Sequence, residues 1–153
     1  MPFIKVWIHF VWSTKNREPF LATKEIRQRV FQHMLANARE KGIHTDFING
    51  YTDHVHCLVS LGNDQTLSKV MQLIKGESSF WINKQGILNN DLPPALAGGK
   101  FEWQDEYFAV SVSESQVNKV REYIKNQETH HQQKTFQQEY DAFIANYHLP
   151  IKD

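Results

Sequence analysis

From residue 4 onward large apolar side chains fall at every second position. Ile4, Val6, Ile8, Phe10 and Trp12 alternate with Lys5, Trp7, His9 and Val11. A period of two belongs to a strand, and the aromatic and β-branched composition suits one. After the polar turn Lys15-Asn16-Arg17-Glu18-Pro19 the spacing lengthens. Ile26, Val30, Met34 and Ala38 recur every four residues, with Phe31 and Leu35 widening the stripe. That predicts an amphipathic helix, and Gly42 stands where a C′ glycine would end it. Ile43 to Asn49 reads as a second strand. Asn49-Gly50 is a turn signal that would join it as a hairpin to a third strand.

In that third strand Val55, Cys57, Val59 and Leu61 share one alternation, and His54, His56, Leu58 and Ser60 share the other. One face is apolar and packs; the other presents two imidazoles side by side. A second helix follows, with Thr66 as N-cap and Leu67, Val70, Met71, Ile74, Trp81 and Ile82 as its apolar set. Lys69, Lys75 and Lys84, with Ser78 and Ser79, lie off that stripe, within reach of a phosphate backbone if one binds. Residues 85–100, with Asn89-Asn90-Asp91, Pro93-Pro94 and Gly98-Gly99, read as an irregular loop. Phe101 to Val112 predicts a short strand or hairpin. Ser113-Glu114-Ser115-Gln116 has the form of a capping box opening a third helix, with Val117, Val120 and Ile124 on its apolar side. Phe136, Tyr140, Phe143, Ile144 and Tyr147 spell a last amphipathic helix. The order strand, helix, strand, strand, helix, strand predicts an α+β fold: a ferredoxin-like antiparallel sheet (βαββαβ), helices on one face, and added C-terminal helices.

Composition narrows the class. The 153 residues are expected to form a single domain with a real core, and 41% hydrophobic content with few Gly and Pro is that of a globular chain. No apolar run approaches the ~20 residues of a membrane span. The alternating N-terminus is a strand rather than a signal peptide. The single cysteine, Cys57, falls on the packed face and reads as a core residue. Together these point to the cytoplasm, with no membrane partner. Basic and acidic residues balance at 17 each, so bulk charge does not announce nucleic acid. Residues 1–50 nevertheless carry 8 basic and 4 acidic side chains and residues 101–153 carry 5 and 9, a polarity that permits one basic face.

The chemistry gathers in two places. Beside the apolar side of the third helix run Tyr123, Gln127 and His131, with His130 adjacent; a spacing of four puts them on one face, each about 6 Å further along the axis. His54, His56 and the Gln127 amide oxygen would hold a divalent cation and leave positions open. Such nitrogen and oxygen donors admit magnesium or manganese as well as zinc. An open-sided cation can bind a phosphodiester oxygen, which makes Tyr123 a nucleophile candidate with a link that conserves the energy of the broken bond. Asp53 reads equally as a residue that orients a ligand histidine and as a turn residue. His9 shares the alternation of Trp7 and Val11, on a face expected to be open, with contact to the site as the lesser reading. His130 and His131 read first as helix-end residues, with contact to DNA or metal as the second reading, and Glu139 as an ordinary surface residue.

His54-Val55-His56 and Tyr123-Ile124-Lys125-Asn126-Gln127, in that order and at that separation, resemble the motifs of the single-tyrosine HUH transposases of small insertion sequences and of the related REP-associated transposases. The aromatic opening from Ile8 to Lys15, Lys75-Gly76 with its serines, and Trp103 with Tyr107 also look like family positions, so the likeness spans most of residues 3–145. The resemblance implies a metal-dependent endonuclease and strand transferase acting on single-stranded DNA. Tyr123 would form a 5′-phosphotyrosine and release a 3′-hydroxyl, with His54, His56 and Gln127 holding Mg2+ or Mn2+. It further implies recognition of DNA hairpins at element ends and a homodimer. Asp105-Glu106 departs from the Arg-Gly that relatives often carry there, which bears on a local DNA contact. The alternative is a domesticated transposase that holds DNA hairpins without cutting them. A zinc hydrolase would need Asp-His where Leu58-Val59 stands, and a zinc deaminase would need a Cys-x-x-Cys pair.

Overall fold

The computed structural model describes residues 2–86 and 100–147. The predicted irregular loop therefore lies almost wholly outside the described residues, as does the side chain of Tyr147. The first strand, β1 (Trp7–Ser13), leads through a short 3-10 turn to helix α1 (Lys24–Glu40). Strands β2 (His44–Gly50) and β3 (His54–Ser60) follow, then helix α2 (Leu67–Gln85) and strand β4 (Phe108–Val112). The four strands form one antiparallel sheet in the order β2-β3-β1-β4, the split βαβ arrangement of the ferredoxin-like fold.

Local chemistry sets the helix ends. Thr23 and Thr66 cap α1 and α2 by accepting from the backbone N–H of Ile26 and Lys69. Gly42 follows α1 at φ 77°, a left-handed conformation that costs glycine little. The hairpin differs from the sequence reading. Asn49 and Gly50 pair with His56 and Val55 inside the ladder, and Tyr51-Thr52-Asp53 makes the turn. Gly50 is there for space: a Cβ would stand 2.1 Å from the His54 carbonyl oxygen.

Ile8, Phe10, Trp12, Val55, Cys57 and Val59 face α1 and α2 and form the main core with Val30, Met34, Met71 and Ile74. The other face is not open. Helix α3 (Val117–Lys125) packs Val117 and Ile124 against Trp7 and Leu58, so every residue of β1 is buried. Two further pieces continue over this face: α4 (Gln127–His131) and α5 (Phe136–Tyr147). The expected capping box does not form. Ser113 makes no side-chain cap, and residues 114–116 are a 3-10 turn leading into α3.

Candidate functional site

The strand period decides where the imidazoles go. His9, His54 and His56 share the face away from α1 and α2, and the C-terminal helices bury all three to 3% exposure or less. The long helix expected to carry Tyr123, Gln127 and His131 is broken at Asn126, whose ψ of 22° interrupts it between α3 and α4. Tyr123 and Gln127 remain neighbours across the break, because the Gln127 amide nitrogen donates to the Tyr123 carbonyl at 3.4 Å. Asn49 sets the position of this joint. Its side-chain amide donates to the carbonyls of Ile124 (2.9 Å) and Lys125 (3.2 Å), two of the acceptors that a helix end leaves open.

Within one chain the four predicted site residues come together. His54 Nε2 lies 3.0 Å from Gln127 Oε1, and the Tyr123 and His56 rings meet edge to face at 5.5 Å. Asp53 satisfies both readings offered for it: it closes the turn and lies 2.8 Å from His54 Nδ1. With the His54 proton on Nδ1 for that carboxylate, His54 Nε2 and Gln127 Oε1 are two acceptors facing each other. A cation between them satisfies both.

Three neighbours join the site that the sequence placed first elsewhere. His9 Nε2 is 2.9 Å from His56 Nδ1. His131 reaches in from the end of α4, its Nδ1 held 2.7 Å from the Lys134 carbonyl. Glu139 is the largest correction, since it is 3% exposed and stands at the centre. Its Oε1 lies 2.9 Å from His56 Nε2 and 3.4 Å from His54 Nε2; its Oε2 accepts from the Tyr123 hydroxyl and lies 3.3 Å from His130 and from His131. The signal was in the sequence. Glu139 falls on the same helical face as Phe136, Tyr140 and Phe143, where a carboxylate has no reason to be unless something polar meets it.

Electrostatics follow from burial. His9 is pushed down to about 3, first by burial and then by His56. Burial likewise takes His56 down to about 4 against the pull of Glu139, so both rings are neutral at ordinary pH. For Glu139, burial works to raise the pKa, but contacts from His131 and His56 and the nearby imidazoles outweigh it and hold the carboxyl below its usual range. The Glu139 carboxylate raises His131 despite that ring's burial.

Some predicted phosphate contacts are already engaged. Lys75 Nζ donates to the carbonyls of Gln104 (2.5 Å) and Asp105 (3.0 Å). Ser78 is buried, donating to Ile74 and accepting from Trp103 Nε1. Beside the imidazole cluster, a cleft of about 920 Å3 is lined by Asn16, Arg17, Tyr107, Phe136 and Tyr140, and also by Asp105 and Glu106. The Arg17 guanidinium lies over the rings of Phe136 and Tyr140 at 5.2 and 5.1 Å. No described helix is long and apolar enough to cross a membrane.

Comparison with known proteins gives a family for this arrangement. Residues 3–127 match the family profile described as transposase, IS200 like. The chain is 25% identical over 119 residues to the ISDra2 transposase TnpA of Deinococcus radiodurans, covering 78% of this chain and 81% of that protein. A solved transposase structure from Deinococcus radiodurans superposes with a TM-score of 0.63 at 22% identity, over 82% of this chain and 93% of that one. A REP-associated tyrosine transposase bound to a REP hairpin superposes with a TM-score of 0.58 at 18% identity, over 86% and 72%.

Proposed function

The chain belongs to the IS200-like transposase family, and from that premise we propose that it is a metal-dependent endonuclease and strand transferase for single-stranded DNA with Tyr123 as nucleophile. The observation that carries this reading is the convergence, inside one chain, of Tyr123 and Gln127 on His54 and His56. It supports a site completed in cis, whether or not the chain dimerises.

His54 Nε2, His56 Nε2 and Gln127 Oε1 would hold a divalent cation, and their donor set fits one: two imidazoles and an amide oxygen with no thiolate. When bound, Mg2+ or Mn2+ supplies charge neutralisation at a phosphodiester oxygen. The protein's own groups do the positioning. Asp53 orients His54, His9 orients His56, and Glu139 holds the Tyr123 hydroxyl in place. A carboxyl as acidic as Glu139 orients that hydroxyl rather than acting as a strong base. The phenolic oxygen bonds to phosphorus as the bond to the 3′ oxygen breaks. Net, the phenol loses one proton and the departing 3′ oxygen gains one, so the exchange needs no nucleotide. A relative that binds a REP hairpin supports hairpins at element ends as the substrate. The cleft beside the site, with Arg17 among aromatic rings, has the mixed cationic and stacking character of a single-strand channel. Asp105 and Glu106 on its wall would keep phosphates toward the Arg17 side.

The test is incubation with single-stranded oligonucleotides from the flanks of the chain's own gene, in magnesium or manganese, followed by denaturing electrophoresis. The expected result is a covalent adduct that Tyr123→Phe abolishes while hairpin binding persists. An adduct with the phenylalanine variant removes Tyr123 as nucleophile. His54→Ala or His56→Ala is expected to prevent cleavage, and full activity in chelator would remove the metal. Hairpin binding without cleavage across metals and ends would favour the domesticated module.

A further inference from the structure

More donors converge on the imidazole pair than an open cation site uses. The donor atoms of His54, His56, His131 and Glu139 all lie within 4.8 Å of one another, on side chains no more than 2% exposed. Glu139 Oε1 is 3.4 Å from His54 Nε2 and 2.9 Å from His56 Nε2, and His131 Nε2 is 3.3 Å from Glu139 Oε2. Ligands bound at zinc distances of about 2.0–2.2 Å in a tetrahedron stand about 3.3–3.6 Å apart, so these gaps are already close to ligand spacing. Hydrogen bonding among the four does not account for all of them: His131 Nε2 is buried and makes no hydrogen bond, although it stands 3.3 Å from the Glu139 carboxylate.

The far side of each ring is the second observation. His54 Nδ1 is held by Asp53, His56 Nδ1 by His9, and His131 Nδ1 by the Lys134 carbonyl. Three imidazoles anchored through Nδ1, with three Nε2 atoms turned inward, is the outer-shell pattern that fixes histidine ligands.

We propose that, with α4 and α5 docked, the chain binds one zinc-class transition ion through four protein donors: His54, His56, His131 and Glu139. The inference rests only on the metal-binding part of the proposed function. Three imidazoles and one carboxylate suit zinc or cobalt(II) better than magnesium, which favours six oxygens and keeps its waters. Four protein donors make a closed site, whereas a reacting phosphate needs a vacant position. A phosphodiester therefore reaches the ion only by displacing His131 or Glu139, and Gln127 Oε1, 3.0 Å from His54 Nε2, joins the ligands once they leave. The ion that serves the site also latches the C-terminal arm over it.

Metal binding by the full chain, without DNA, tests this. Equilibrium dialysis is expected to give one zinc per chain, and cobalt(II) the intense visible absorption of four-coordination. His131→Ala and Glu139→Gln should each weaken zinc by more than about a hundredfold, beyond the 10- to 100-fold typical of losing a group that only supports a ligand. His33→Ala, whose ring pairs with Glu77 on α2, should bind as the unaltered chain does. Absence of stoichiometric zinc, a weak six-coordinate cobalt spectrum, or unaltered binding by both variants would overturn the proposal. Should either variant not fold, hydrogen exchange of the unaltered chain decides: zinc slows exchange across residues 127–147, and no slowing overturns the latch. Adduct formation in manganese, scored separately, keeps the two readings apart. Adduct without a zinc site sinks the latch alone; a zinc site without adduct under any metal sinks the nuclease alone.

Discussion

Asn49 links the hairpin to the joint that places Tyr123, through two hydrogen bonds to carbonyls at the end of α3. Asn49→Ala deletes both donors without crowding the site. The expected loss is about 1 kcal/mol in urea unfolding, with slower adduct formation, because a frayed α3 terminus lets the phenol drift. Unchanged stability and unchanged adduct rate would mean that the joint is held elsewhere. Cys57 makes the opposite kind of case, a reactive type with no reactive role. It is fully buried among Phe10 and Val55, and burial pushes its thiol well above the usual range. A thiol reagent is expected to leave it unlabelled in native buffer and to label one thiol per chain in denaturant. Rapid native labelling would show that the core around β3 opens.

At the scale of elements, α5 is held by what it covers. Phe136 stacks on His54 with ring centres 4.3 Å apart, and Phe143 lies against His9 and His56. A helix this short is marginal alone in water, so its order comes from that docking. Phe136→Ala, at a residue 6% exposed, is expected to raise hydrogen exchange across residues 136–147 while leaving β1, β3, α1 and α2 protected. Equal protection in both proteins would place the anchor outside Phe136. The same element shows what the sequence could carry. Strand alternation put His54 and His56 on one face, and four-residue spacing put Tyr123 and Gln127 together even though the helix breaks between them. The order of elements held through β4. What no local pattern specified was the partner of that second face. α3 and α5 reach it from more than fifty residues downstream, so His9 looked open, His131 looked like a helix end and Glu139 looked solvated. Only the misfit of Glu139 on an apolar stripe pointed inward. Asn49-Gly50 misled for a related reason: its turn signature was set aside because the ladder needed a residue without Cβ beside His54.

For the whole molecule, burying this many imidazoles under one layer of helices makes stability depend on pH above the range where carboxylates titrate. His9 and His56 are neutral in the fold, down at about 3 and about 4, whereas in the unfolded chain each takes a proton near 6.5. Between those values the unfolded state binds more protons, so stability is full above about pH 6.5 and drains as pH falls toward 4. His130, lowered mainly by burial, acts in the same direction. Glu139 is lowered from 4.5, and its contribution is lost only further down. His131 opposes them: raised by Glu139, it contributes below pH 6.5 and loses that contribution as pH rises through its folded value. Three groups against one predict a thermal midpoint that drops from pH 7 to pH 5 in chelator, before Glu139 begins to protonate. His9→Gln should flatten that limb, since it removes one of the two deepest protonation differences. A midpoint flat between pH 7 and 5 would mean that these imidazoles reach solvent, and that the C-terminal layer does not close over them in solution.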